Sequence, residues 1–317
     1  MKVQAVELSV YNLEFRPLSM RLEVAGYTFD RIPNYSEQQA KLQHLLSSHD
    51  HEFSIKANTG GHAHTAILHC PDNCPPPVIP WQDPESSALD DILLLLRLFT
   101  GRDVFVTAEP DLGRSDIVIT ADPRVYRWGG VLSCSIPYEC REFDDPYKTI
   151  DTSHSVHLPR IYARMQDENW QRNFKNGFFL VLLSQAIKQR LLEAAFGQCW
   201  TIWEHLFACL TDSWISRSGN RQLNAKEKIA FLLIHFGVRV ELDDSEKTRL
   251  DDLVAIRNRL IHYGQFPERD AVRSDAEMFI HMTEFIAAKA LGLYPSNVFG
   301  TIEGLDEFLS NTPNRGE

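Results

Sequence analysis

The ten residues AIRNRLIHYG, Ala255–Gly264, hold Arg257, Asn258, Arg259 and His262. These are side-chain types that cleavage of a phosphodiester can use. An imidazole titrates near neutrality, so His262 can take or give a proton. A guanidinium stays charged and can grip a phosphate with two N–H groups, so Arg257 can offset charge that builds during transfer. Asn258 can orient the imidazole or donate a hydrogen bond to phosphate, and Arg259 adds a supporting cation. On RNA the 2′-hydroxyl is an internal nucleophile, so this chemistry calls for no protein nucleophile, metal or cofactor.

Spacing limits the idea. A helix turns about 100° per residue, which sets Arg257 and His262 about 140° apart and Asn258 and His262 about 40° apart. Arg257 and His262 meet one substrate only if the last turn distorts or a partner surface completes the site. Gly264 makes such a distortion sterically accessible. An ordinary helix end accounts for the same residues: Arg257 and Arg259 facing solvent or pairing with Asp251 and Asp252, and His262 favouring the negative pole of the helix.

The helix that carries these residues is SEKTRLDDLVAIRNRLIHYG, with Ser245 as cap, Gly264 as stop, and Leu250, Leu253, Ile256, Leu260 and Ile261 as its apolar face. Others precede it. NWQRNFKNGFFLVLLSQAIKQRLLEAA is rich in helix formers, and Gly197 marks a break. CWTIWEHLFACLTDSW follows, with Trp203, Leu206 and Leu210 in one stripe. Next comes Leu223–Gly237, where Asn224 and Glu227 fit a capping box. A fifth helix, SDAEMFIHMTEFIAAKALGL, follows the loop QFPERDAVR, and LDEFLSNTPNRGE reads as a short helical turn and a frayed tail.

The first part has a different period. Val3–Phe15, Leu18–Phe29, HEFSIKA, HTAILHC, DVFVTAE and SDIVITA alternate over short stretches, as antiparallel strands do. Ser87–Gly101, nearly continuous leucine, reads as one helix packed on that sheet, after the Pro-rich loop PDNCPPPVIPWQDP. The expected class is α+β, a β-rich domain over 1–145 and a helical one over 146–317, joined near the polar stretch Arg141–Ser155.

Composition agrees with a folded globular chain: 317 residues, 44% hydrophobic, 24% charged, net charge −11. The acidic balance argues against a broad coat for nucleic acid but leaves room for one basic cleft. Residues 1–144 hold 12 Lys+Arg against 20 Asp+Glu, and residues 145–317 hold 20 against 23, so a polyanion site belongs to the second part. No apolar run is long enough to span a membrane and no secretory signal is legible, which places the expected location in the cytoplasm.

Of six cysteines, Cys70 and Cys74 form one close pair and Cys134 and Cys140 another. They are candidate ligands of a structural zinc, with His62, His64 and His69 as spares. The first gap of three residues suits such a site, whereas the second, of five, exceeds the usual range. No phosphate loop, HExxH or nucleophile elbow is present. Trp170, Trp200, Trp203 and Trp214 read as packing residues, as do Cys199 and Cys209.

IRNRLIHYG, together with WEHLFACL (Glu204, Leu206 and Phe207) and TEFIAAKALGL, resembles the HEPN superfamily, particularly the HEPN-like domains of ApeA-type bacterial defence proteins. The resemblance covers roughly residues 165–295. It implies an antiparallel helical bundle that dimerises, with two Arg/His pairs lining one interfacial cleft. The implied activity is a metal-independent endoribonuclease leaving a 2′,3′-cyclic phosphate and a 5′-hydroxyl, in antiviral defence or toxin-type growth control. His262 would be the acid–base group, Arg257 the phosphate clamp and Asn258 a positioning residue, with Glu204 in support. The family also contains inactive RNA- or protein-binding regulatory modules, which is the alternative here. The first domain would then sense a trigger ligand or protein.

Overall fold

The computed structural model describes residues 7–16, 18–40, 63–71, 88–100, 104–107, 152–187, 189, 191–211, 223–238, 242–266 and 270–293. HEFSIKA, SDIVITA, the Pro-rich loop and the final LDEFLSNTPNRGE lie outside them. The chain is mixed, with an antiparallel sheet in its first part and helices mostly in its second, and it divides into two compact units, Met1–Ala163 and Arg164–Glu317. Among the described residues no helix is long and apolar enough to cross a membrane.

The first unit is built on β1 (Glu7–Tyr11), β2 (Arg21–Val24), β3 (Tyr27–Arg31), β4 (His64–His69) and β5 (Phe105–Thr107), in the order β2-β3-β4-β1-β5. The alternating stretch Leu18–Phe29 is not one strand. It folds back at Ala25 and Gly26, whose φ angles of 52° and 83° give the two left-handed central residues of a tight hairpin turn. Leu8, Val10, Leu22, Phe29 and Leu68 are buried. The leucine-rich helix α1 (Ala88–Thr100) forms where expected and buries eight of its residues.

Across four strands runs a row of charged groups, with Arg21 opposite Asp30 and Glu7 opposite His69 in register, and Asp30 and His69 diagonal to each other. Arg21 clamps Asp30 through Nε–Oδ1 at 2.6 Å and Nη2–Oδ2 at 2.9 Å, and holds that carboxyl below its ordinary range. His69 stands between Asp30 at 3.3 Å and Glu7 at 3.4 Å. The helix α2 (Thr152–Met165), which carries Pro159, was not among the expected helices.

In the second unit the long run from Asn169 breaks elsewhere than at Gly197. The helix α3 (Glu168–Asn173) ends in a 3₁₀ turn, Lys175–Gly177, whose three residues have φ angles of 47°, 60° and 73°. A Cβ on Gly177 would lie 2.9 Å from the Trp170 ring, so glycine is required by both angle and space. Next come α4 (Phe178–Ile187) and α5 (Leu192–Thr211). Gly197 lies inside α5 beside Leu260 of the later helix α7 (Asp244–Tyr263): a Cβ there would stand 3.8 Å from Leu260 Cδ2, an ordinary van der Waals contact.

The helix α6 (Ala225–His235) starts with the expected capping box of Asn224 and Glu227. In α7 the cap is Asp243 rather than Ser245. Asp243 accepts the Glu246 N–H, and the Glu246 carboxylate accepts the Asp243 N–H, both at 2.9 Å. The last helix among the described residues is α8 (Asp270–Ala290). Phe279 of α8 stacks on Trp200 at 4.7 Å and Trp203 at 5.7 Å, and Trp203 Nε1–H donates to Thr283 Oγ1 at 2.8 Å. Trp170 Nε1–H reaches the Ala290 carbonyl at 2.9 Å.

This core also holds ionisable groups. Burial pushes the Cys199 thiol up to about 12, which leaves it neutral and unreactive. Arg249 of α7 and Asp275 of α8 form a buried pair, Nη2 to Oδ1 at 2.5 Å. Burial raises the Asp275 carboxyl above its ordinary value although Arg249 opposes it, and nearby Asp252 adds to the rise.

His281 lies 3.3 Å from the buried Glu284 carboxylate. Burial alone would lower this imidazole, but the hydrogen bond and charge of Glu284, helped by Glu277, outweigh it and hold it above its ordinary value. A raised histidine stabilises the fold fully below the unfolded value, about 6.5, and loses that contribution as pH rises through the folded value. Denaturant unfolding at pH 5.5 and 8.5 should therefore show a loss of stability in the wild type that His281→Gln does not share.

Candidate functional site

The polar end of α7 is fixed by its apolar start. Leu250, Leu253 and Ile256 are buried, and Leu260 is half-buried against Gly197. Ile261, expected on the same face, is instead 54% exposed. The helix is regular through Tyr263 and stops at Gly264, φ 62°, where the Gly264 N–H donates to the Leu260 carbonyl at 3.0 Å. The last turn is thus undistorted, and Arg257 and His262 leave α7 from different faces.

Arg257 is half-buried against α5. Its Nη1–H donates to Asn258 Oδ1 at 3.1 Å, and its Cζ lies 5.9 Å over the Trp200 ring. Its Nε is sealed from solvent and has no acceptor among the described residues. Arg259 is exposed, and Asp251 is engaged by Lys226 at 2.7 Å rather than by either arginine.

His262 is exposed at the negative end of the helix, its ring edge-on to Tyr263 at 6.4 Å. Tyr263 is itself 73% exposed. No hydrogen bond or ring contact joins His262 to Arg257, Asn258 or Glu204 among the described residues.

Glu204 is turned to α6, where its carboxylate takes the Lys228 ammonium. The structure therefore brings Arg257 and Asn258 together, with Trp200 behind them, and leaves Glu204 and His262 apart. The neighbouring His205 faces Phe178 edge-on, with Cys209 Sγ 3.4 Å from its Nε2. Burial, helped by Lys175, lowers this imidazole. Trp200 was legible only as a packing residue, since nothing in the spacing of α5 ties it to an arginine 57 positions away.

Of the candidate zinc ligands, Cys70 is buried, and Cys74, Cys134, Cys140 and His62 lie outside the described residues. His64 Nε2 faces the Ala66 carbonyl at 3.1 Å and burial lowers its imidazole, while His69 is taken by two carboxylates. Among the described residues no group of three or more His, Cys, Asp or Glu side chains could hold a metal ion.

Compared with family models, curated proteins and solved structures, the chain matches none.

Proposed function

We propose that the chain is a HEPN-type endoribonuclease whose second unit acts as a homodimer and cuts RNA at Arg257 and His262. The observation that carries this reading is the contrast along α7. A guanidinium is held against Asn258 and Trp200, and five residues on stands an exposed imidazole flanked by exposed Ile261 and Tyr263. An exposed apolar pair beside a titratable group fits a surface that a second chain covers. Such a chain would also supply what one straight helix cannot, a face that lets arginine and histidine act on one phosphate.

The chemistry is a transfer within the substrate. The 2′-oxygen attacks phosphorus as the neutral imidazole removes its proton. The bond to the 5′-oxygen breaks, and an imidazolium returns a proton to that oxygen. The products are a 2′,3′-cyclic phosphate and a 5′-hydroxyl. Arg257 binds the non-bridging oxygens as their charge grows, Asn258 positions it, and Arg259 adds charge for neighbouring phosphates. The first unit is the natural place for a trigger ligand or protein, which would restrain a nuclease acting inside its own cell.

A second reading, a non-catalytic RNA- or protein-binding module, is favoured by the undistorted last turn of α7 and by the absence of any contact between Arg257 and His262. One experiment separates the two. Purified protein is incubated with a panel of RNAs in EDTA and the product termini are identified. Cyclic phosphate ends with wild type supports the nuclease. Binding of the same RNAs without cleavage supports the module.

A further inference from the structure

The two helices that build the site meet at two adjacent places. One is Gly197 beside Leu260. The other is Trp200 under Arg257. Trp200 is only 3% exposed, and its ring is held by Phe279, stacked at 4.7 Å and 25°, and by Phe196, edge-on at 6.1 Å and 78°. An indole so fixed has no freedom to follow a moving partner. It presents its π surface at one place, and a guanidinium over that surface is drawn to it.

Two donors are left unmet at this contact. Trp200 Nε1 and Arg257 Nε are both sealed from water, and neither has an acceptor among the described residues. Unmet buried donors are costly and uncommon, so such a pair asks for an explanation. A phenyl or aliphatic residue would fill the space without one of those donors. Of the five guanidinium N–H groups, one is given to Asn258 and the Nε–H is sealed, so the remaining groups on the Nη atoms are the ones a ligand can use.

We propose that Trp200 is a positioning residue for Arg257: the fixed indole and Asn258 together lock the guanidinium so that its free Nη groups face a phosphate of the substrate. The proposal rests on the reading of Arg257 as a phosphate clamp for its purpose, but not for the contact itself. Trp200 touches no substrate and acts only through Arg257.

The test is a double-mutant cycle with two readouts. Trp200→Leu and Arg257→Met are made singly and together, with Trp200→Phe as the conservative variant. In denaturant unfolding, the factor by which Trp200→Leu lowers the folding equilibrium should be about fivefold greater with Arg257 present than with Met there. Trp200→Phe should restore most of that coupling. In RNA cleavage, Trp200→Leu should lower kcat/KM about tenfold in the Arg257 background and leave the Arg257→Met background unchanged, because the residue acts through the arginine.

Equal unfolding factors in both backgrounds would overturn the proposal, as would equal loss of cleavage in both. If Trp200→Leu does not fold, Trp200→Met completes the same cycle with a more adaptable side chain. A wild type that neither cuts nor binds RNA removes the nuclease reading, while the unfolding cycle still decides whether Trp200 holds Arg257.

Discussion

His262→Ala is expected to lower RNA cleavage by about 10²–10⁴-fold, the usual contribution of a positioned acid–base group. That loss corresponds to about 3–5 kcal/mol of transition-state stabilisation. The side chain is exposed and, among the described residues, its ring meets only Tyr263, so stability should move by no more than about 0.5 kcal/mol. Activity and stability are thereby separated in one variant, which is the strength of the test. Arg257→Lys completes it: the charge stays, but the planar fork that can hold two phosphate oxygens is gone. The measurement is single-turnover cleavage of a labelled oligoribonucleotide, with unfolding followed in parallel. Full activity in folded His262→Ala would remove the histidine from the chemistry, and the exposed end of α7 would then be a binding surface.

Arg249→Met should destabilise the helical unit by about 3–5 kcal/mol, because it strands a buried carboxylate. Arg249 and Asp275 lie on α7 and α8 and face each other at 2.5 Å. Removing the cation leaves Asp275 with burial and Asp252, both of which already raise its pKa. For a carboxyl raised in the folded state, ionisation opposes folding. Its cost sets in as pH rises from the unfolded value, about 3.9, through the folded value. The difference between Arg249→Met and wild type should therefore shrink toward acid pH. Arg249→Met with Asp275→Leu should recover most of the loss, since an apolar pair of suitable volume often replaces a buried ion pair at little cost. Denaturant unfolding of the singles and the double at pH 4.5 and 7.5 measures both effects. A double variant no better than the single would show that the pair also sets the geometry of the two helices.

What could be read from sequence was local. The Asn224 and Glu227 box, the Gly264 stop and the leucine helix α1 each depend on residues within a turn or two of one another, and each forms where expected. The features missed depend on distant partners or on steric detail. The helix α2, with Pro159 inside it, was not among the expected helices. Gly197 looks like a break but lies inside α5, while the run breaks at the positive φ angles of Lys175–Gly177, where Trp170 crowds the space beside Gly177.

The candidate site divides in the same way. The Arg257/Asn258/His262 spacing was visible, and the angle that keeps Arg257 and His262 apart followed from helix geometry. That Glu204 belongs to Lys228, and that Trp200 lies under Arg257, was not visible, because each partner comes from a different helix.

The bond from Trp170 Nε1 to the Ala290 carbonyl bears on how the protein is made. It joins the first helix of the second unit to the last across 120 residues. At the ordinary rate of synthesis, Ala290 is added about 6–24 s after Trp170. Throughout that interval the indole has no native acceptor, and Phe279, which stacks on Trp200 and Trp203, also arrives late. Arg257 and His262 are thus polymerised before the helix that holds their scaffold in place. On the proposed nuclease reading, a nascent chain on the ribosome, surrounded by RNA, carries Arg257 and His262 without their assembled architecture, and the order of elements along the gene acts as a timer on when the site matures.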